Sequence, residues 1–143
     1  MTTTTARTQA PAEAKSRQDL VSTIVVAGFG AFTLVLGVWA LVAPVSFFDN
    51  IGHFPPYNKH FLHDVGAFQI GIGAALLFAL AWRDDAILAV LGGAAAGASA
   101  HEIAHITDHG LGGRDSDPFT LGIVAVILVA VFAWRLRARY ASV

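Results

Sequence analysis

The sequence predicts an all-α integral membrane protein, a four-helix bundle with both termini in the cytoplasm. Of its 143 residues, 55% are hydrophobic and only 13% are charged. The mean hydropathy of +0.62 is too high for an ordinary soluble domain of this length. Four apolar segments each approach the roughly 20 residues that cross a bilayer. They take up nearly the whole chain, so the sequence leaves no room for a soluble catalytic module.

Polar stretches divide the chain into a tail, a membrane domain and a second tail. Residues 1–19 are rich in Thr and Ala, show no apolar periodicity, and predict a disordered cytoplasmic tail. A signal peptide is the alternative, but the following apolar run is longer than a signal h-region. The membrane domain covers residues 20–139, and residues 140–143 follow it. Its helices are predicted at about residues 21–43, 60–82, 86–106 and 119–134.

The sequence between the apolar segments supports these boundaries. Pro44 closes the first segment, and the aromatic stretch VSFFDNIGHFPPYNK predicts an interfacial loop. The tight turn Arg83-Asp84-Asp85 makes the second and third segments antiparallel neighbours. DHGLGGRDSDP separates the third segment from the fourth. The fourth is short for a span unless it extends into RLRAR, whose long side chains can reach the interface.

The distribution of basic residues predicts the orientation of the chain. With both termini cytoplasmic, seven Lys and Arg residues lie on the inner side, and two, Lys59 and Arg114, lie on the outer side. This asymmetry follows the positive-inside rule. All six histidines then fall on the outer half. We therefore expect a multi-pass protein of the cell membrane with a polar cluster that opens to the outer face.

The polar cluster is predicted from two helical stripes. At about 100° per residue, His60, His63 and Asp64 share one face of the second segment. The end of the third segment carries a second stripe, made of His101, Glu102, His105, Asp108 and His109. Ionisable groups inside a membrane are costly unless they pair or bind an ion, so we expect the two stripes to face each other.

Imidazoles and carboxylates together suit a hard or borderline cation such as zinc, copper(II), iron or manganese. The chain has no cysteine, which excludes thiolate sites. Haem held by His63 and a histidine of the third segment is a less favoured alternative. The predicted ligands are His63, Asp64, His101 and His105. The predicted surrounding or alternate ligands are His60, Glu102, Asp108 and His109, and His53 is expected to be peripheral.

The string His101-Glu102-x-x-His105 matches the H-E-x-x-H motif of zinc proteases. The i, i+4 spacing is right, but four short spans offer no cleft for a peptide, so proteolysis is disfavoured. Glu102-x-x-His105 is also half of a di-iron motif, which needs a second copy and two further carboxylates. The histidine boxes of membrane desaturases are a distant analogy, because those enzymes use more histidines on longer chains.

Small residues predict close packing of the second and third segments. Ala67-x-x-x-Gly71 lies on one and Gly93-x-x-x-Gly97 on the other, and such pairs let helix backbones approach in membranes. Packing within the subunit is favoured over dimerisation.

Two boxes carry a resemblance to a known family. Asn58-x-His60-x-x-His63-Asp64-x-Gly66 opens the second segment, and the His-x-x-x-His box closes the third. The chain resembles small uncharacterised four-helix membrane proteins of actinobacteria that carry these boxes. The resemblance implies the four-helix topology and a family, and it implies no activity.

Three functional hypotheses remain open from the sequence. The first is a metal-binding membrane protein, for example an accessory subunit of a larger membrane complex. The second is a small metal-dependent oxidoreductase acting on a lipid or quinone, and the third is a metal-free bundle whose histidines sense pH. A non-enzymatic role is favoured. The expected partners are the lipid bilayer and either a larger membrane complex or further copies of the chain, and no nucleic acid is expected.

Overall fold

The computed structural model describes residues 9–52, 55–111 and 114–141. In this part of the chain there are five helices and no strand, which confirms the all-α prediction. They are α1 (Gln9–Val42), α2 (Pro44–Asn50), α3 (Lys59–Ala81), α4 (Ala86–Thr107) and α5 (Asp117–Ala141). The helices α3, α4, α5 and the Asp19–Val42 part of α1 are long and apolar enough to cross a membrane.

The structure differs from the predicted boundaries at three places. Helix α1 starts at Gln9, so residues 9–19, predicted to be a disordered tail, are helical; the Ala, Glu and Lys residues there are good helix formers. Helix α5 runs to Ala141 instead of ending at Trp134. The aromatic stretch after Pro44 begins with the short helix α2 instead of a loop. The other predicted tail residues, 1–8 and 142–143, lie outside the described part of the chain.

The four long helices are arranged in a row. The extensive contacts between described residues join α1 to α3, α3 to α4 and α4 to α5. Neighbours are antiparallel, because residue numbers rise on one helix as they fall on the other: the contacts are Gly37 with Gly66 and Gly30 with Gly73, Gly97 with Gly71 and Gly93 with Ala75, and Gly92 with Phe132 and Glu102 with Gly122. Helices α3 and α4 are therefore central, whereas α1 and α5 are peripheral. Ala125 is the one residue of α5 that is buried.

Glycines set the distance between α1 and α3. A Cβ atom on Gly37 would lie 2.7 Å from the carbonyl oxygen of Gly66, and a Cβ on Gly73 would lie 2.8 Å from that of Gly30. No side chain fits at such separations, so the two backbones are in direct contact. Such contacts gain dispersion energy where lipid supplies no hydrophobic driving force between helices.

At the ends of the helices opposite the histidines, arginines of α5 pair with aspartates of the turn between α3 and α4. Asp85 caps α4 by accepting a hydrogen bond from Leu88 N–H at 3.0 Å, and Arg135 of α5 donates to the same carboxylate at 2.8 Å. Arg139 donates to Asp84 at 2.9 Å. The Arg139 and Arg135 guanidinium groups lower the pKa of Asp84 and Asp85, respectively. The stabilisation from these pairs is therefore present above the ordinary carboxyl pKa and is lost as the pH falls through the lowered one.

The short helix α2 folds back onto α1 and α3. Proline occupies its first turn, where a missing N–H costs nothing. Phe47 is buried with Ala40 and Leu62, and its ring meets Trp39 edge to face at 5.7 Å. This packing brings the chain back to the start of α3.

Two glycine substitutions on α1 test its contact with α3. We expect Gly37→Leu to lower the free energy of unfolding by about 1–3 kcal/mol, as overpacking does in other cores, because the added side chain must push α3 away. Gly28→Leu is the control, since nothing lies within 4 Å of a Cβ at Gly28. Denaturation of both variants in detergent measures the difference, and equal stabilities would contradict the contact.

Candidate metal centre

The first turns of α3 and the last turns of α4 form one polar centre. Asn58 starts α3 by accepting a hydrogen bond from Phe61 N–H at 3.0 Å. The contact of Gly71 with Gly97 keeps the two helices close along their lengths. Their antiparallel arrangement then brings the start of α3 beside the end of α4. The side chains that meet there are His60, His63, Asp64, His101, His105 and Asp108.

Asp64 is the first of two carboxylates in this centre. Its Oδ1 lies 3.2 Å from Nε2 of His101 and 3.7 Å from Nε2 of His105. Its Oδ2 lies 3.7 Å from Nε2 of His60. Three imidazoles, one on α3 and two on α4, therefore each turn Nε2 toward the same carboxylate.

Asp108, the residue that ends α4, is the second carboxylate. Its side chain is 0% exposed, and its Oδ1 lies 3.1 Å from Nζ of Lys59. Its Oδ2 lies 2.5 Å from Nδ1 of His63 and 3.6 Å from Nδ1 of His60. Burial raises the pKa of the Asp108 carboxyl, but Lys59 and His63 outweigh burial and hold this pKa below its ordinary value. Asp108 is therefore an anion at neutral pH.

His60 connects the two carboxylates. Its Nε2 faces Asp64 and its Nδ1 faces Asp108, while its ring meets the ring of His105 edge to face at 4.5 Å. A neutral imidazole donates through one nitrogen and accepts through the other. In the tautomer with the proton on Nδ1, the N–H points toward Asp108, and Nε2 offers its lone pair to a ligand beside Asp64.

Several atoms of the centre lack the hydrogen bonds that burial normally demands. Oδ1 of Asp64, Nδ1 of His60, both ring nitrogens of His63 and both oxygens of Asp108 are buried without a partner in hydrogen-bond geometry among the described residues, although Lys59 and His63 lie beside Asp108 as ion-pair partners. At Oδ1 of Asp64, the nearest imidazole nitrogen, Nε2 of His101, lies at 3.2 Å and the next, Nε2 of His105, at 3.7 Å, whereas a hydrogen bond of this kind is roughly 2.7–3.2 Å long.

The spacing of these atoms suits a bound cation. Ligand atoms from His60, Asp64 and His105 all lie within 4.8 Å of one another, so this group could hold a metal ion. Zinc bonds of 2.0–2.2 Å in a tetrahedron place neighbouring ligand atoms about 3.3–3.6 Å apart. The separations of 3.2–3.7 Å around Asp64 bracket that range, and His101 is the nearest further donor.

The predicted ligands divide between the two carboxylates. Asp64, His101 and His105 come together, but the predicted ligand His63 contacts Asp108, and His60, predicted as an alternate, takes its place beside Asp64. The sequence held a signal for this exchange: residues four apart on a helix are neighbours, whereas adjacent residues are not. Lys59 was not predicted to take part. His109 is exposed beyond the end of α4, and His53 lies outside the described residues.

Glu102 faces away from this centre. A Cβ atom on Gly122 of α5 would lie 3.2 Å from Oε1 of Glu102, so its carboxylate packs on α5 whereas His101 and His105 turn to α3. Its Oε2 is buried without a hydrogen-bond partner in the described part of the chain. The glutamate of the H-E-x-x-H string therefore does not stand beside the histidines as a zinc protease requires.

Comparison of the chain with protein-family models, with curated proteins and with solved structures gives no match. The resemblance to the actinobacterial membrane proteins therefore stays a prediction.

The two buried carboxylates of α4 should respond oppositely to removal. We expect Glu102→Leu to raise the free energy of unfolding by about 1–3 kcal/mol, the usual penalty of an unsatisfied buried polar group. Asp108→Leu should lower it, because Lys59 and His63 lose their partner. Denaturation in detergent measures both changes. A Glu102→Leu protein less stable than the parent would show that the carboxylate has a stabilising partner.

Proposed function

We propose that the chain is a multi-pass membrane protein that binds one divalent transition-metal ion between α3 and α4. Asp64 supplies the carboxylate, and His60, His101 and His105 supply imidazole nitrogens. The observation that carries this proposal is the convergence of ligand atoms from His60, Asp64 and His105, which all lie within 4.8 Å of one another, around a buried Asp64 oxygen that has no hydrogen bond of good geometry. An ion bound there would satisfy the oxygen and the nitrogens together.

The donor set selects the class of metal. Three imidazoles and one carboxylate suit zinc, copper(II), iron(II) or manganese, whereas magnesium and calcium prefer oxygen alone. Zn²⁺ is the best first probe because it accepts four such ligands in a tetrahedron, and the carboxylate-to-imidazole separations of 3.2–3.7 Å are close to the edges of that tetrahedron. Asp108 completes the site from outside by facing Nδ1 of His60, the arrangement in which a carboxylate orients a metal-bound histidine.

A binding or accessory role is favoured over proteolysis. Glu102 lies on the α5 side of α4, so it does not stand beside the ion to activate water. The role proposed for the chain is to hold the metal at one end of a membrane domain, as a carrier or an accessory subunit of a larger membrane complex would.

The metal is tested by loading the purified protein. We expect about one Zn²⁺ or Co²⁺ per chain, with visible Co²⁺ bands typical of nitrogen and oxygen ligands. His60→Ala and His105→Ala should each weaken binding by at least the roughly 10–100-fold seen when a supporting residue is lost. Metal analysis and titration in detergent measure both quantities. A parent protein that binds well under one metal per chain would refute the proposal.

Two further variants serve as controls for the ligand set. His109→Ala should bind like the parent, because His109 is exposed outside the centre. His63→Ala should weaken binding less than His60→Ala, because His63 contacts Asp108 and not Asp64. The reverse order would favour the ligand set predicted from sequence over the one proposed here.

We further propose that both termini are cytoplasmic and that the metal centre opens to the outer face. The basic residues support this orientation, since Arg83, Arg135 and Arg139 lie at the ends of the helices opposite the metal centre. A reporter enzyme that works only in the cytoplasm should be active after Val143 and inactive when inserted after Leu111. The opposite pattern would invert the topology and leave the metal test unaffected.

A further inference from the structure

A groove on the outside of α4 leads to the metal centre. It has a volume of about 460 Å³ and lies between α3 and α5. Apolar and small side chains line it, apart from one imidazole, that of His101. The residues that matter here are Phe68, Val90, Ala94, Ala98, His101 and Val124.

The groove follows from the composition of α4. Alanine and glycine form the floor at Gly93, Ala94, Gly97 and Ala98, whereas larger side chains of α3 and α5 form the walls. Because α5 packs on α4 and not extensively on α3, the space above this floor remains open. It lies along an apolar helix long enough to cross a membrane, so the groove opens toward hydrocarbon.

The dimensions of the groove decide which occupant fits. From Val90 to His101 the floor spans eleven residue steps, or about 16 Å at 1.5 Å per residue. Its volume of about 460 Å³ lies within the roughly 300–1,000 Å³ that is usual for small-ligand pockets. One extended hydrocarbon chain therefore fits along the floor, with its end at His101.

The groove has one polar end, at His101, so its occupant should carry a polar group at one end. The His101 side chain is 21% exposed, and its Nε2 lies 3.2 Å from Oδ1 of Asp64. A molecule that lies in the groove thus has hydrocarbon contacts along its length and an imidazole at one end. In apolar surroundings a polar group is stable only beside such a partner.

We propose that the groove binds a single-chain amphiphile, a lipid with one long hydrocarbon chain and a small oxygen-bearing end group, and places that end group beside His101. The position of the end group beside an ion rests on the metal site proposed above. Such a ligand would reach the centre sideways from the bilayer, without passing through water.

The test uses the detergent-purified, Co²⁺-loaded chain and a long-chain alcohol with a photoreactive diazirine in its chain. Illumination followed by peptide mapping should place the label on residues that line the groove, on α4 between 90 and 101 and on the facing walls of α3 and α5. Adding the alcohol should also shift the Co²⁺ absorption bands, because its end group lies beside a ligand of the ion.

One variant blocks the groove, and a matched variant leaves it open. Ala94 lines the groove and is exposed, so Ala94→Phe should fill it and abolish both the label and the spectral shift. Ile103 is on the same helix and 60% exposed but does not line the groove, so Ile103→Phe should retain both. Both variants should keep about one metal per chain.

The outcomes separate this proposal from the metal proposal. Label spread over all exposed helix faces, or unchanged in Ala94→Phe, would overturn the groove as a binding site. Label in the groove without a shift of the Co²⁺ bands would overturn the placement beside the ion. A chain that binds no metal would remove the metal proposal, while the labelling would still test the groove. Competition by an unlabelled straight-chain alcohol or an isoprenoid alcohol then identifies the kind of chain.

Discussion

The close approach of α3 and α4 is the constraint on which the rest of the structure depends. Gly71 and Gly97 bring the two backbones so near that a Cβ on Gly71 would lie 3.1 Å from the Cα of Gly97. This contact fixes the antiparallel register, and the register determines which polar residues meet at the ends. The small residues of α4 also create the floor of the groove. One sequence property, an Ala- and Gly-rich helix, thus underlies the packing, the polar centre and the access route to it.

Burial of polar groups explains why the centre has two parts. A carboxylate in apolar surroundings needs a cation or several donors. Asp108 obtains Lys59 and His63, and its pKa is lowered accordingly. Asp64 is surrounded by the imidazoles of three histidines at 3.2–3.7 Å. Asp108 therefore has a permanent cation, Lys59, as its partner, whereas the proposed ion would be the cation beside Asp64.

Much of this could be predicted from sequence, and the exceptions have physical causes. Apolar length predicted the four long helices, and helical periodicity brought Asp64, His101 and His105 into one candidate set. The sequence prediction preferred His63 to His60 as a ligand, although His60 stands four residues from Asp64 on the same helix. The contact of His63 with Asp108 is made between two elements, and helical periodicity does not report it. Glu102 was included with the histidines because all of them lie on one arc of the helical wheel. The wheel does not show that α4 packs against α3 on one side and against α5 on the other, nor that Glu102 faces α5. The extension of α5 depends on Arg135 and Arg139 meeting Asp85 and Asp84, a tertiary contact that hydropathy does not report.

Charge balance favours a single ion in the centre. With neutral imidazoles, Asp64 and Asp108 contribute two negative charges, and Lys59 offsets one of them at 3.1 Å from Asp108. One divalent cation would change the net charge from −1 to +1, whereas a second would leave +3 in a largely buried site, where like charges repel strongly. Lys59 thus supplies the positive charge beside Asp108. This balance fits the single ion proposed beside Asp64.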